Sequence, residues 1–335
     1  MVDQKMKSDW VRVSSYERCW FCGAGPKILG LRHHPQFEQP LSEDRCRFCF
    51  SQLHNMLRAF DWINKTRWHI DVKAYACPEA FRDKKVERED ELKRLFEEKL
   101  NMRVYQPVPG YRGNTNTGNV CRKAFKHPKE WSEISLMPQS LIEDYHVLLT
   151  AINNSQFPVN ADAFEAASNA WLDDFHASEV AWNQPSPTVH FMPHHGAPII
   201  RYLPLPPSWF NEEPAEQHHK YYRYYREHHA PQTTLEANML AVFLRCIQIA
   251  DPKNLELIAK NAPKAKKTPL SDKVKALLIL PPEYMEVDED IAFVIHANHP
   301  ANDAGDNAGN NAAQSDSDSS SDEEDDDFDT SEDDE

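Results

Sequence analysis

Along much of this chain apolar residues recur at the period of a helix. Leu53, Met56, Leu57 and Phe60 stand at i, i+3, i+4 and i+7, which places them on one face. VEREDELKRLFEEKLNM (86–102) puts Leu92, Leu95, Phe96 and Leu100 on one stripe, and its Glu and Lys neighbours read as a solvated face. A further helix is expected over 137–153. Asn160 is a good N-cap for a helix running to Trp182, with Phe164, Ala167, Trp171 and Phe175 on one side. NEEPAEQHHKYYRYYREHH (211–229) also reads as helix, because Pro214 falls where a first turn tolerates it. LEANMLAVFLRCIQIADP (235–252) is a last long helix, stopped at Asp251-Pro252.

Between these stretches the pattern fails in informative ways. Residues 10–50 carry Cys, His, Arg and aromatic residues with little periodicity, as a small metal-pinned module would. QPVPGYRGNTNTGN (106–119) is a loop by its turn formers. In NQPSPTVHFMPHHGAPIIRYLPLPPSWF proline interrupts helix repeatedly. KNAPKAKKTPLSDK (260–273) reads as a solvated lysine-rich linker, with nuclear import or phosphate contact as the functional alternative. The expected organisation is a Cys-rich zinc-binding module (1–52), a helical body (53–259), the linker, an apolar segment (274–296) and a disordered acidic tail (297–335). The fold class is mainly α.

Composition sharpens this outline. Residues 301–335 contain fifteen Asp and Glu and no Lys or Arg, so the tail accounts for nearly all of the net charge of −16. A nearly neutral body lacks the pervasive basic surface of a protein that grips nucleic acid everywhere. Nine glycines in 335 residues disfavour a chain of hairpins. Ser319, Ser320 and Ser321 each have an acid three residues on, the pattern acidophilic kinases accept. The N-terminal stretch has no apolar run of the kind a signal peptide needs, and no stretch approaches a membrane span. The expected location is therefore nucleus or cytosol, with no membrane partner.

The candidate chemistry is metal binding. CWFCGAGP (19–26) supplies two cysteines in metal-ligand spacing, half of a tetrahedral site. Cys46 and Cys49 in CRFC are the local way to complete it, 23 residues further on. The distant way is His190 and His195 in TVHFMPHHG, which share a direction if that segment is helical. With sixteen histidines in the chain that second spacing is weak by itself, and the residues alone favour the four cysteines.

Five segments in order resemble the C-terminal part of the V(D)J recombinase catalytic subunit and its Transib-like DDE transposase relatives. They are CWFCGAGPK; QLHNMLRAF; EEKLNMRVYQPVPGYRGNTNTGNVCRKAF; PTVHFMPHHGAPII; and AEQHHKYYRYYREHH with the helix ending IADP, together spanning about residues 19–252. The resemblance implies a helical insertion and last helix of a ribonuclease-H-like recombinase. It also implies one zinc held by Cys19, Cys22, His190 and His195. It places the third active-site carboxylate at Glu216, with Lys220 kept and His219 in place of the usual asparagine. The two aspartates expected upstream of the first CxxC have only Asp3 and Asp9 as stand-ins, without strand-like surroundings. Two-metal cleavage needs converging carboxylates, so Glu216 is read as vestigial, and Mg or Mn is expected only if an active site is completed from elsewhere.

The expected function is a non-catalytic, transposase-derived zinc-binding protein. It would bind DNA, through Lys220, Arg223 and Arg226, or a transposase partner covering the helix near Glu216. One alternative is an interaction adaptor whose acidic tail engages basic, histone-like partners. Another is a fragment of an active recombinase lacking its upstream aspartates.

Overall fold

A computed structural model describes residues 4–12, 14–38, 43–106, 116–211, 213–261, 268–281 and 292–293. Three short helices, α1 (Gln4–Trp10), α2 (Pro26–Leu29) and α3 (Glu43–Cys46), lie in the Cys-rich stretch. Long helices begin with α4 (Gln52–Trp68), which buries Met56, Ala59, Phe60, Trp62 and Ile63. Its neighbours are α5 (Arg82–Leu100), α6 (Gly118–Phe125), α7 (Pro128–Ser135), α8 (Gln139–Asn153) and, beyond α9 (Ala161–Ala177), α10 (Pro187–Tyr202). Helix α4 touches all of these except α9, and α10 lies against both α9 and α4, so α4 is the hub of the body.

The amphipathic stripe of 86–102 is realised in α5, where Leu92, Phe96 and Leu100 are buried. Asn101 ends that helix in the left-handed conformation (φ 48°), and its N–H donates to the Glu97 carbonyl. Asn160 caps α9 as expected, its side chain accepting from the Asp162 and Ala163 amides. That helix stops at Ala177 rather than Trp182, because Ser178 turns to extended backbone and its hydroxyl donates to the Phe175 carbonyl.

Two stretches depart further from expectation. The proline-rich segment forms one helix, α10, with Pro193 and Pro198 inside it. Each proline removes a ladder hydrogen bond, but eleven of the sixteen residues of α10 are buried, and that packing offsets the loss. The end of the expected loop starts α6 instead, capped by the Thr117 hydroxyl on the Val120 amide. Pro128 at the first position then launches α7.

Buried polar side chains tie the hub to its neighbours. The Trp131 indole N–H donates to Asn64 Oδ1 (2.9 Å), and Asn64 donates on to the Tyr105 hydroxyl (3.0 Å). The Asn183 side-chain amide donates to the Trp62 carbonyl and to Thr66 Oγ1, while the Asn183 backbone carbonyl accepts from the Trp62 indole.

After a 3-10 turn at Pro207–Phe210, fastened by Ser208 Oγ donating to the Asn154 carbonyl (2.8 Å), the chain leaves the body. It forms an arm of three helices, α11 (Glu213–His228), α12 (Leu235–Ala250) and α13 (Pro252–Asn261), with α11 against α12 and α12 against α13. The chain returns through β1 (Thr268–Pro269) and α14 (Asp272–Lys275), which docks on α8 with Lys273 paired to Asp144 at 2.6 Å. Val274, Leu277 and Leu278, the start of the expected apolar segment, are buried there. Strand β1 pairs antiparallel with β2 (Ala292–Phe293), the only sheet among the described residues. The acidic tail and residues 262–267 of the linker lie outside the described residues.

Candidate metal centre

The CWFC half of the site is a tight backbone knuckle. Cys19 donates its N–H to the Ala24 carbonyl (2.8 Å) and accepts from the Gly23 N–H (2.7 Å). Gly23 sits at φ +75°, and the nearest atom to a Cβ built there is 3.9 Å away. Backbone conformation therefore favours glycine at this position, and crowding does not. Arg18 donates to the Gly23 carbonyl and Arg45 to the Phe21 carbonyl, so two further carbonyls of the knuckle are satisfied.

The other half comes from α10. Ser186 caps it by accepting from the Val189 amide, and Pro187 occupies the first turn. In a regular helix residues five apart point about 140° from one another, so the spacing alone does not bring His190 and His195 to one side, contrary to expectation. Pro193 stands between them and withholds an amide from the ladder. The two imidazoles meet with centroids 5.3 Å apart.

Cys19, Cys22, His190 and His195 each offer one ligand atom, and these atoms lie within 4.8 Å of one another. All four residues are buried. His190 Nδ1 lies 3.0 Å from the Leu29 carbonyl, a position that assigns it the proton and leaves Nε2 as a bare acceptor. That Nε2 is 3.7 Å from Cys22 Sγ, close to the S···N separation of about 3.6 Å that tetrahedral zinc bond lengths imply. His195 Nε2 is buried and makes no well-formed hydrogen bond among the described residues; its interaction is with the neighbouring Cys22 thiol, as suits a nitrogen placed to share a cation with that sulfur.

Electrostatics point the same way. A hydrogen bond from Cys19 pulls the Cys22 thiol well below its ordinary range, with His190 and His195 adding to the shift. Burial pushes the Cys19 thiol well above its ordinary value, and neighbouring Cys22 pushes it further. Two thiolates side by side in this dry place require a cation between them. Burial also lowers the His195 imidazole, which favours the neutral, ligating form. Around the site stand Phe21 against His195 (4.7 Å) and Phe37 against His190 (4.8 Å), excluding water. His194 stacks on His190 (4.2 Å) and is held neutral chiefly by burial, but it is not among the grouped ligands.

The other expected site residues lie elsewhere. Cys46 and Cys49 are buried but do not belong to the group. Cys49 Sγ is 3.9 Å from the Pro207 carbonyl, and Lys7 donates to the Cys49 carbonyl. Among the described residues no cysteine forms a disulfide. Glu216 and Lys220 fall on α11, but their side chains lie outside the described ones. Arg223 is exposed and pairs with Glu227 at 2.8 Å; Arg226 is exposed as well. Asp9 is exposed and accepts from the Tyr16 hydroxyl, while Asp3 lies outside the described residues. Sequence reasoning missed the supporting groups, Leu29 and Arg45, because nothing in their local pattern marks a carbonyl or guanidinium that braces a distant ligand.

Set against known proteins, the chain matches no protein-family model and no curated protein. Its class follows from fold and site: a mainly helical protein with a buried Cys2His2 group able to hold a metal ion. No helix among the described residues is long and apolar enough to cross a membrane.

Proposed function

We propose that this chain is a non-catalytic, zinc-pinned helical protein of recombinase-like descent whose arm engages DNA or a transposase-type partner. The observation that carries the reading is the convergence of two thiols and two imidazoles within 4.8 Å, with each thiol at least 168 residues from either imidazole. Soft thiolates with imidazoles favour zinc over magnesium or calcium. With four protein ligands a tetrahedral ion has no open position for water or substrate, so its part is structural. When bound, such an ion supplies folding free energy on the order of 10 kcal/mol. The chain's own residues hold the site ready: Leu29 orients His190, and the Gly23 turn aims both sulfurs.

Glu216 is proposed as a vestige of a three-carboxylate site; Mg or Mn would be recruited only by aspartates supplied from elsewhere. The arm supports the binding half of the reading. Arg223 and Arg226 share α11 with the exposed Tyr222 and Tyr224, a surface suited to a phosphate backbone through sequence-independent contacts.

Zinc stoichiometry by native mass spectrometry tests the site. The intact chain is expected to carry one zinc, a His190→Ala/His195→Ala variant none, and a Cys46→Ala/Cys49→Ala variant one. Loss of zinc only from the cysteine variant would relocate the metal to a four-cysteine module. The DNA half expects salt-sensitive binding that weakens in Arg223→Ala/Arg226→Ala. Binding of basic proteins abolished by removing 301–335 would instead favour the adaptor.

A further inference from the structure

Cys46 and Cys49 have no part in the metal group, although each is almost fully buried, at 1% exposure. They stand at the two ends of one tight turn. Cys46 is the last residue of α3, and the Cys49 N–H donates back to its carbonyl at 3.2 Å. A turn closed in that way keeps its end α-carbons within about 7 Å, and a disulfide spans α-carbons up to about 6.8 Å apart. Cys49 itself is held at φ +51°, a left-handed conformation that Gly or Asn would adopt more readily. Strain of this kind gathers at functional positions.

The surroundings give this dithiol both a chemistry and a consequence. The buried side chain of Lys7 donates to the Cys49 carbonyl at 3.2 Å, and a neighbouring cation favours the thiolate, the form that attacks an oxidant. Between the two cysteines Arg47 is exposed and Phe48 half-buried. The pair therefore lies one side chain below the surface, a shallow depth for an oxidant no larger than two waters. Cys49 also reaches across the fold: its Sγ lies 3.9 Å from the Pro207 carbonyl, at the 3-10 turn from which the arm departs. Arg47 Nε donates to the Tyr202 hydroxyl at 3.3 Å, which ties the same turn to the end of α10.

We infer that Cys46 and Cys49 form a reversible dithiol–disulfide pair whose oxidation by hydrogen peroxide withdraws Cys49 from the turn that roots the arm. The Cys49 thiolate attacks one peroxide oxygen; the O–O bond breaks, leaving a Cys49 sulfenic acid and hydroxide. The Cys46 thiol then attacks that sulfur, so that an S–S bond forms and the S–O bond breaks. In sum the two thiols lose two hydrogens and two electrons, and the peroxide becomes two waters. Closing the bond removes the S–H that reaches Pro207 and draws Cys49 towards Cys46. The proposal uses neither the metal nor the recombinase-like reading.

Peptide mapping of the full-length, zinc-loaded chain after hydrogen peroxide tests it, with the remaining thiols blocked before digestion. Trypsin cuts after Arg45, Arg47 and Arg58, and so between the two cysteines. The oxidised pair then appears as Cys46–Arg47 joined to Phe48–Arg58, two hydrogens lighter than their sum. This joined species is expected in most chains, with zinc content unchanged, and dithiothreitol is expected to abolish it. In the same sample hydrogen exchange is expected to quicken at the Trp209 and Asn211 amides, which donate to the Pro206 and Ser208 carbonyls before oxidation. Cys46→Ser removes the resolving thiol, so its Cys49 sulfenic acid is expected to be trapped by dimedone. Absence of the joined peptide when the half-buried Cys77 is already oxidised overturns the proposal. So does linkage that appears only as zinc is lost, which would place the oxidation in an unfolding chain. Linkage without any change at Trp209 and Asn211 overturns it as well.

Discussion

Gly196 shows how little room single residues have where α10 meets α9. A Cβ added there would lie 2.6 Å from Cε1 of Phe164, a ring that is itself fully buried. Neither partner can retreat cheaply: Phe164 is enclosed in the core, and Gly196 follows directly on the candidate ligand His195. Gly196→Ala is therefore expected to destabilise the protein by about 1–3 kcal/mol through overpacking, despite alanine's better helix propensity. Denaturant titration reads the loss, and an unchanged midpoint would mean that α9 and α10 can slide apart. Nothing in the local sequence marks this glycine. Gly23 is different, because a glycine directly after CxxC is legible as a turn residue, and its φ of +75° agrees.

At the scale of elements, period and capping together located most of the long helices. Leu53–Phe60, 86–102, 137–153 and the Asn160 cap all fall on observed helices. Helix α10 was obscured because proline counting weighs lost hydrogen bonds and cannot weigh burial, which here surrounds the helix on nearly all sides. The polar spine of α4 was equally hidden, since an Asn on a helical stretch is ordinarily solvated. Asn64 instead accepts the buried indole N–H of Trp131 and donates to Tyr105, whose hydroxyl donates to Asp61. Asn64→Leu should leave that indole N–H unsatisfied and cost about 2–3 kcal/mol. The same substitution in a Trp131→Phe background should cost clearly less, because the orphaned donor is gone. Equal costs in both backgrounds would show that the bond does not hold α4 to α7.

For the whole molecule, the first half of the candidate metal site was legible and the second was not. CxxC followed by glycine announces itself, whereas His190 and His195 are two of sixteen histidines on a stretch that looked broken. Their spacing offered them only weakly and the resemblance singled them out, since a contact across 168 residues leaves no local signal. That long reach decides what metal removal does. Helix α10 packs on α9 and on the hub α4, so ligands on α10 join the Cys-rich stretch to the body rather than pinning the stretch alone. An ion contributing on the order of 10 kcal/mol is comparable with the entire net stability of a domain, about 5–15 kcal/mol. Chelation at neutral pH is therefore expected to remove hydrogen-exchange protection from α2, α4, α9 and α10 together. Helices α11 and α12, which pack mainly on each other, should lose less. Loss confined to residues 19–50 would instead reduce the metal to a local clip, and the body would owe its stability to its apolar core alone.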